Sequence, residues 1–106
     1  MDVITIKEIT DEPSDYSDGE VVFTLINEKL LSDKPVAVSF SGLSAVTSAF
    51  INSALIRLLE YHTYNKIKKL LKIINSTKQI NDTILDRFDF VTRSGHNIKI
   101  ESKSPK

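Results

Sequence analysis

The sequence contains no cysteine among its 106 residues. This absence excludes disulfide scaffolds, zinc sites built on thiolates, and cysteine nucleophiles. A reducing compartment suits such a chain. The amino terminus also lacks the basic and apolar regions of a signal peptide. We therefore expect a protein of the cytoplasm.

The chain also lacks a stretch with the composition of a membrane span. Residues 36–56 carry no charge, but serine, threonine, glycine and asparagine interrupt the apolar residues. A spanning helix needs about 20 predominantly apolar residues. The uncharged interval instead predicts the most buried region of the fold, and we expect no membrane association.

Charge of one sign is not in excess overall, because 14 acidic residues balance 14 basic ones. Residues 1–33 nevertheless carry nine acids and two lysines, a net charge of −7, and the remainder carries +7. Such asymmetry can steer a partner but more often only solvates the surface. The length predicts one domain over 1–101, followed by a disordered tail over 102–106.

The first third of the chain predicts a strand and then a helix. The β-branched residues at 3–9 are typical of a strand. Ser17 and Glu20 have the spacing of a capping box, which predicts a helix start. The helix should run to residue 33 and bury one stripe, formed by Val22, Leu25, Ile26 and Leu30.

The middle of the chain predicts a second strand and a second helix. Residues 36–41 are typical of a central strand, and residues 42–46 form the turn after it. A helix should run from Thr47 or Ser48 to about His62. Its apolar face should consist of Phe50, Ala54, Leu55, Leu58 and Leu59.

The last third predicts a strand, a helix and a closing hairpin. The strand covers residues 69–75, and residues 76–79 form a second capping box. Residues 90–92 and 97–100 flank a Ser-Gly turn, which favours a β-hairpin. The buried side of the third helix should consist of Ile80, Ile84, Leu85 and Phe88.

This alternation of strands and helices predicts an α/β fold. We expect a small mixed, mainly parallel sheet with about three helices and a C-terminal β-hairpin. The second and third strands, joined through a helix, should be parallel. The predicted core consists of Val38, Phe50, Leu55, Leu58, Ile73 and Ile84.

The segment at 35–52 reads Pro-Val-Ala-Val-Ser-Phe-Ser-Gly-Leu-Ser-Ala-Val-Thr-Ser-Ala-Phe-Ile-Asn, a strand, a short turn, polar residues and a helix start. This order resembles the STAS superfamily of anti-sigma factor antagonists, and is most similar to bacterial STAS-like domains of uncharacterised function. The resemblance extends from about Ser17 to Phe88. It implies a non-catalytic regulatory domain that docks a protein, such as an anti-sigma or histidine-kinase-type ATPase.

The resemblance also implies a docking surface around Ser48. In STAS antagonists the helix opens with Asp-Ser, and the partner kinase phosphorylates that serine. Ser48 matches the serine, whereas Thr47 stands at the aspartate position. Ser48 is thus a candidate for phosphorylation, or alternatively a helix cap, a role that Thr47 could serve equally well. The predicted partner contacts are Gly42, Leu43, Ser44, Thr47, Ser48 and Asn52, of which Asn52 should bond either the turn at 42–44 or the partner.

Two other classes of function stay open. A small-molecule or nucleotide sensor could use the same helix start as an anion site. Nucleic-acid binding could use the lysine run, but the run has no aromatic interleaving, so we expect a solvated connector and no nucleic acid. The run consists of Lys66, Lys68, Lys69 and Lys72.

No catalytic constellation is present. His62 and His96 have no acidic residue at ligand spacing, so we expect solvated histidines, no metal, no cofactor and no enzyme activity. Three acids on or after the third helix could pair with Lys78 and Arg87, which explains them without paired-carboxylate catalysis. They are Asp82, Asp86 and Asp89.

Overall fold

Three strands alternate with four α-helices in the computed structural model, which describes residues 1–10 and 15–93. The elements are β1 (Asp2–Thr5), α1 (Tyr16–Leu31), β2 (Val36–Ser39), α2 (Ser48–Ala54), α3 (Tyr64–Leu70), β3 (Leu71–Ile74) and α4 (Lys78–Arg93). Two 3-10 helices, Ile6–Glu8 and Ile56–Glu60, follow β1 and α2. The predicted α/β class is confirmed.

The strands form one sheet in the order β1-β2-β3, and both pairs are parallel. Every residue of the uncharged β2 is buried, as its central position requires. Ile4, Val38 and Ile73 stand side by side in the register. In the described part of the chain the sheet is therefore wholly parallel rather than mixed.

Two predicted strands are longer than the structure has them. β1 ends at Thr5 because the Ile6 carbonyl accepts hydrogen bonds from the amides of Ile9 and Thr10, both at 2.9 Å, which turns the chain. β3 begins only at Leu71, since the two preceding residues belong to α3. It ends before Asn75, whose φ of 53° leaves the extended region.

The start of α1 lies earlier than predicted. Asp15, not Ser17, caps the helix, because its carboxylate accepts the amide of Asp18 at 3.1 Å. Asp18 returns the bond to the Asp15 amide at 3.4 Å. These two residues have the same cap spacing as Ser17 and Glu20, which lie two positions further along the chain.

The buried face of α1 also differs by one residue. Val22, Ile26 and Leu30 are buried as predicted, but Leu25 is 37% exposed and Phe23 takes its place in the core. At 100° per residue Leu25 lies beyond the edge of the face that the three others share. The predicted stripe was therefore wrong at this position.

The predicted second helix is interrupted. α2 ends at Ala54, and the tighter 3-10 turn that follows places Leu55 and Leu58 on the same side, where both are buried. Residues three apart eclipse one another in a 3-10 helix, which explains this placement. The predicted connector is a helix of its own, α3, capped by Thr63.

The C-terminal part departs most from expectation. Thr77 accepts the Ile80 amide at 3.2 Å and so caps α4 in place of Ser76. The helix continues to Arg93, so residues 90–92 are helical and the predicted hairpin strand there is wrong. Leu85 is 62% exposed and not in the core. Residues 94–106 lie outside the described residues, and with them His96, the predicted strand at 97–100 and the predicted tail.

The core lies between one face of the sheet and the helices α1, α2 and α4. Ile73, which was expected in it, is only half-buried and packs against the border of the core. The other five predicted core residues are buried, which confirms them: Val38, Phe50, Leu55, Leu58 and Ile84.

His62 is not the solvated histidine that the sequence predicts. It is buried after the second 3-10 helix, and its Nε2 lies 2.6 Å from Asn27 Oδ1 of α1. Burial lowers the pKa of His62, the nearby ammonium of Lys66 lowers it further, and Asp33 opposes both. Protonation of His62 is therefore linked to unfolding.

Acidification from about pH 7.5 to about pH 5.5 is expected to lower the free energy of unfolding. The unfolded chain binds a proton at the ordinary pKa of 6.5, whereas folded His62 binds it only at lower pH. The contribution of His62 to stability is thus fully present above pH 6.5 and is lost as pH falls below that value. Urea denaturation at both pH values checks this, and His62→Gln should flatten the dependence. An equal pH dependence in His62→Gln would assign it to other groups.

Candidate functional site

The six predicted partner contacts lie in the segment that leaves the carboxyl end of β2 and enters α2. Gly42, Ser44, Thr47 and Ser48 are exposed, and the other two are half-buried. We call this set the loop–α2 surface, and it comprises Gly42, Leu43, Ser44, Thr47, Ser48 and Asn52.

The helix cap of α2 is Thr47. Its Oγ1 accepts the amide of Phe50 at 3.1 Å, and its backbone is extended as a cap requires. Ser48 is the first helical residue, exposed, and its side chain makes no hydrogen bond within the described part of the chain. Of the two cap assignments that the sequence left open, the structure therefore selects Thr47.

The loop before α2 is held by hydrogen bonds to its neighbours. The carbonyl of Ser44 accepts the Thr77 hydroxyl at 2.9 Å, which ties the loop to the start of α4. The Leu43 amide donates to the carbonyl of Phe40 at 3.0 Å and closes the turn. Gly42 has a φ of 84°, in the left-handed region that favours glycine. The loop is thus exposed but defined in shape.

One of the two predictions for Asn52, a hydrogen bond to the turn at 42–44, is wrong. Oδ1 of Asn52 accepts Nε of Arg87 at 3.0 Å, which joins α2 to α4. Arg87 accordingly does not pair with the acids of α4. Those ion pairs are Lys78 with Asp82 and Arg93 with Asp89, at 2.9 and 3.2 Å.

The model of the family described as STAS-like domain of unknown function (DUF4325) matches residues 18–81. This range is more than half of the chain and contains the whole loop–α2 surface. The chain belongs to this family. The resemblance seen in the sequence is thereby confirmed. The STAS-like domain matches no curated protein and no solved structure.

The predicted lysine run of the STAS-like domain lies on α3 and β3, at the amino end of β3 and away from the loop–α2 surface. Lys66 pairs with Asp33 at 2.9 Å, which holds the pKa of that carboxyl below its usual value. Nζ of Lys68 lies 5.2 Å from the centre of the Tyr64 ring. These contacts favour the solvated reading of the run.

The STAS-like domain has a polar cluster that the sequence did not reveal. Ser39, at the end of β2, is buried and accepts hydrogen bonds from Asn75 and from the Ser41 amide. Lys7 lies across Gly42 in the same region. Only the strand order brings these positions together, although polar residues after parallel strands are a general signal for a binding edge.

Within the described residues, no group of acidic residues and histidines is arranged to hold a metal ion. None of the helices in that part of the chain is long and apolar enough to cross a membrane.

Proposed function

We propose that this STAS-like domain is a non-catalytic regulatory module that docks a protein partner through the loop–α2 surface. The observation that carries the proposal is that three hydrogen bonds fix the conformation of this exposed loop and of the helix start after it. Thr47 caps α2, Ser44 is bound by Thr77, and Asn52 is bound by Arg87. A preorganised surface loses less conformational entropy when a partner binds.

The composition of the surface suits a protein partner. Leu43 is half-buried and supplies an apolar contact, while Ser44 and Ser48 are exposed polar residues beside it. Protein interfaces commonly combine an apolar centre with a polar rim. The family membership supports a regulatory role, and an anti-sigma or histidine-kinase-type ATPase is the partner class that we propose.

Ser48 is the residue through which we propose regulation. Its hydroxyl is exposed because Thr47 supplies the cap, so a kinase can reach it without breaking the helix start. A phosphate would add about −1.5 to −2 charges at the centre of the docking surface. Such a charge would change partner affinity while leaving the fold intact.

Ser48→Glu is expected to weaken partner binding by about tenfold or more while the melting temperature holds. A carboxylate in the first turn of a helix is tolerated by the helix dipole, but at an interface it is desolvated against the partner. The partner is obtained by affinity capture from the native host with wild type and Ser48→Glu side by side. Binding is then measured by calorimetry with the purified partner.

Asn65→Glu is the matched control, because α3 has the same length as α2 and also begins after a threonine cap. Asn65 is exposed and lies at the opposite end of the sheet. It should bind the partner with wild-type affinity. Unchanged affinity in Ser48→Glu with a verified partner would refute the docking surface.

A further inference from the structure

The side chain of Lys7 lies directly over Gly42. A Cβ atom placed on Gly42 would stand 2.8 Å from Cδ of Lys7 and 3.7 Å from its Nζ. The lysine stem therefore packs over the bare backbone of the glycine, and it brings an ammonium group onto the loop that follows β2. Lys7 precedes the residues that the family model matches.

The charge of Lys7 is not used inside the described structure. Lys29, Lys66 and Lys78 each form an ion pair with an aspartate, whereas no carboxylate among the described residues pairs with Lys7. Four other lysines also form no ion pair there, but they lie toward the amino ends of the strands: Lys34, Lys68, Lys69 and Lys72. A lysine stem often covers bare backbone while its charge stays in water. This behaviour explains why the stem of Lys7 covers Gly42. It does not explain the hydrogen-bond donors that lie beside the ammonium group.

Three hydrogen-bond donors at this place also have no acceptor among the described residues. They are the Ser41 hydroxyl, the Gly42 amide and the hydroxyl proton of Ser39. Ser39 is only 3% exposed, and its oxygen already accepts two hydrogen bonds, from the Ser41 amide at 3.3 Å and Asn75 Nδ2 at 3.0 Å. Ser41 and Gly42 are exposed, so their donors reach solvent, whereas the Ser39 hydroxyl is buried. A buried donor without an acceptor is uncommon and destabilising.

The cluster lies where the three parallel strands end. Lys7 follows β1, Ser39 ends β2 with Ser41 and Gly42 behind it, and Asn75 follows β3. Ligands of open α/β sheets bind outside the carboxyl ends of the strands. A cation and several unused donors at this edge form an arrangement that suits an oxyanion.

We infer that this edge binds a phosphate monoester carried by the docked protein, with Lys7 supplying the charge. The inference rests on the proposed function, because the phosphorylated residue belongs to the partner on the adjacent loop–α2 surface. Lys7 contacts the phosphate oxygens, and Ser41 and Gly42 donate to them. Ser39 holds the Ser41 amide and Asn75 through the two hydrogen bonds that it accepts, and its remaining hydroxyl proton donates to the same phosphate.

The test is a titration of the free domain, followed through its amide NMR spectrum at constant ionic strength. Inorganic phosphate and a short phosphoserine peptide should each shift the amides of Ser41, Gly42 and Asn75 in a saturable way. Lys7→Met keeps the stem over Gly42 and removes the charge, so its affinity should fall about tenfold. Lys7→Arg should retain binding.

Lys34→Met is the control for a general effect of charge, since Lys34 is exposed and precedes β2 at the amino ends of the strands. It should titrate as wild type does. Equal affinity in Lys7→Met, or shifts that do not saturate in the wild type, would overturn the inference. The spectrum of each variant shows whether it is folded.

Adenosine monophosphate distinguishes the two sources of a phosphate monoester. It should bind no tighter than the phosphoserine peptide, whereas affinity about tenfold higher would assign the site to a nucleotide and overturn the protein source. The titrations need no partner, so their failure leaves the Ser48→Glu result standing. Conversely, saturable phosphate binding together with unchanged partner affinity in Ser48→Glu would refute the docking surface, and with it the docked protein as the source of the phosphate, but would leave the phosphate site itself standing.

Discussion

Phe50→Ala is expected to lower the free energy of unfolding by about 3–5 kcal/mol. The Phe50 side chain is fully buried in the core, to which Ile51, Ala54 and Leu55 also belong. Removal of the ring leaves a cavity that surrounding backbone can fill only in part. Urea denaturation followed by circular dichroism measures the loss.

Phe90→Ala is the matched control because it removes the same ring from a side chain that is 55% exposed on α4. The Phe90 ring lies 5.0 Å from Cζ of Arg87. Its removal should therefore lower the free energy of unfolding by about 0.5–1 kcal/mol, well below the loss in Phe50→Ala. A loss below about 1 kcal/mol in Phe50→Ala would mean that α2 packs through another face. The loop–α2 surface would then have a different orientation as well, since Phe50 donates its amide to the Thr47 cap.

Gly19→Ala is expected to destabilise the protein by about 3 kcal/mol, although alanine favours helices over glycine by about 1 kcal/mol. Gly19 lies buried in the first turns of α1 against α2. A Cβ there would overlap Ser53 Oγ and stand 2.8 Å from the Phe50 carbonyl oxygen and 3.0 Å from the Ala54 amide. Two of these three atoms are backbone and cannot rotate away.

The variant Gly19→Ala/Ser53→Ala separates the contributions of the side chain and the backbone. It removes the hydroxyl of Ser53, so part of the stability should return, but the clash with the α2 backbone remains. Thr24→Ala, on the exposed face of α1, should be neutral or slightly stabilising. Thermal and urea unfolding check all three variants. A neutral or stabilising Gly19→Ala would contradict the close approach of α1 and α2.

The helix caps illustrate how local signals mislead by a residue or two. Asp15 and Thr77 cap α1 and α4, whereas the sequence favours Ser17 and Ser76. Asp15 and Asp18 have the same spacing as Ser17 and Glu20, so spacing alone cannot separate these two caps. At α4 the spacing rule favours Ser76 with Gln79, yet the side chain of Thr77 makes the cap.

The carboxyl end of α4 is helical although its residues favour a strand. The β-branched and aromatic residues at 90–92 are typical of a strand, yet they continue the helix. Phe88, one turn earlier, stacks on Tyr64 of α3 with ring centroids 5.3 Å apart. This contact joins positions 24 residues apart, and it stabilises helical backbone that local propensity disfavours.

The candidate site divides in the same way. Residues 35–52 indicate where the site lies in the chain, and they carry the resemblance to the family. They also predict a helix that starts after a central strand, because buried strands and capped helices have local signatures. Neither the bond between Asn52 and Arg87 nor the tie between Ser44 and Thr77 has such a signature. Each joins residues far apart in the chain.

Local hydrophobic pattern and turn chemistry thus specify the fold class, the central β2 and most of the core, since each depends on residues only a few positions apart. The tertiary structure alone decides that Lys7 covers Gly42, that Gly19 meets Ser53, and that His62 is buried beside Asn27. Those contacts arise only when parallel strands and packed helices bring distant positions into register. The physical reason is that their free energy depends on the three-dimensional neighbours of each side chain, and not on its neighbours in sequence.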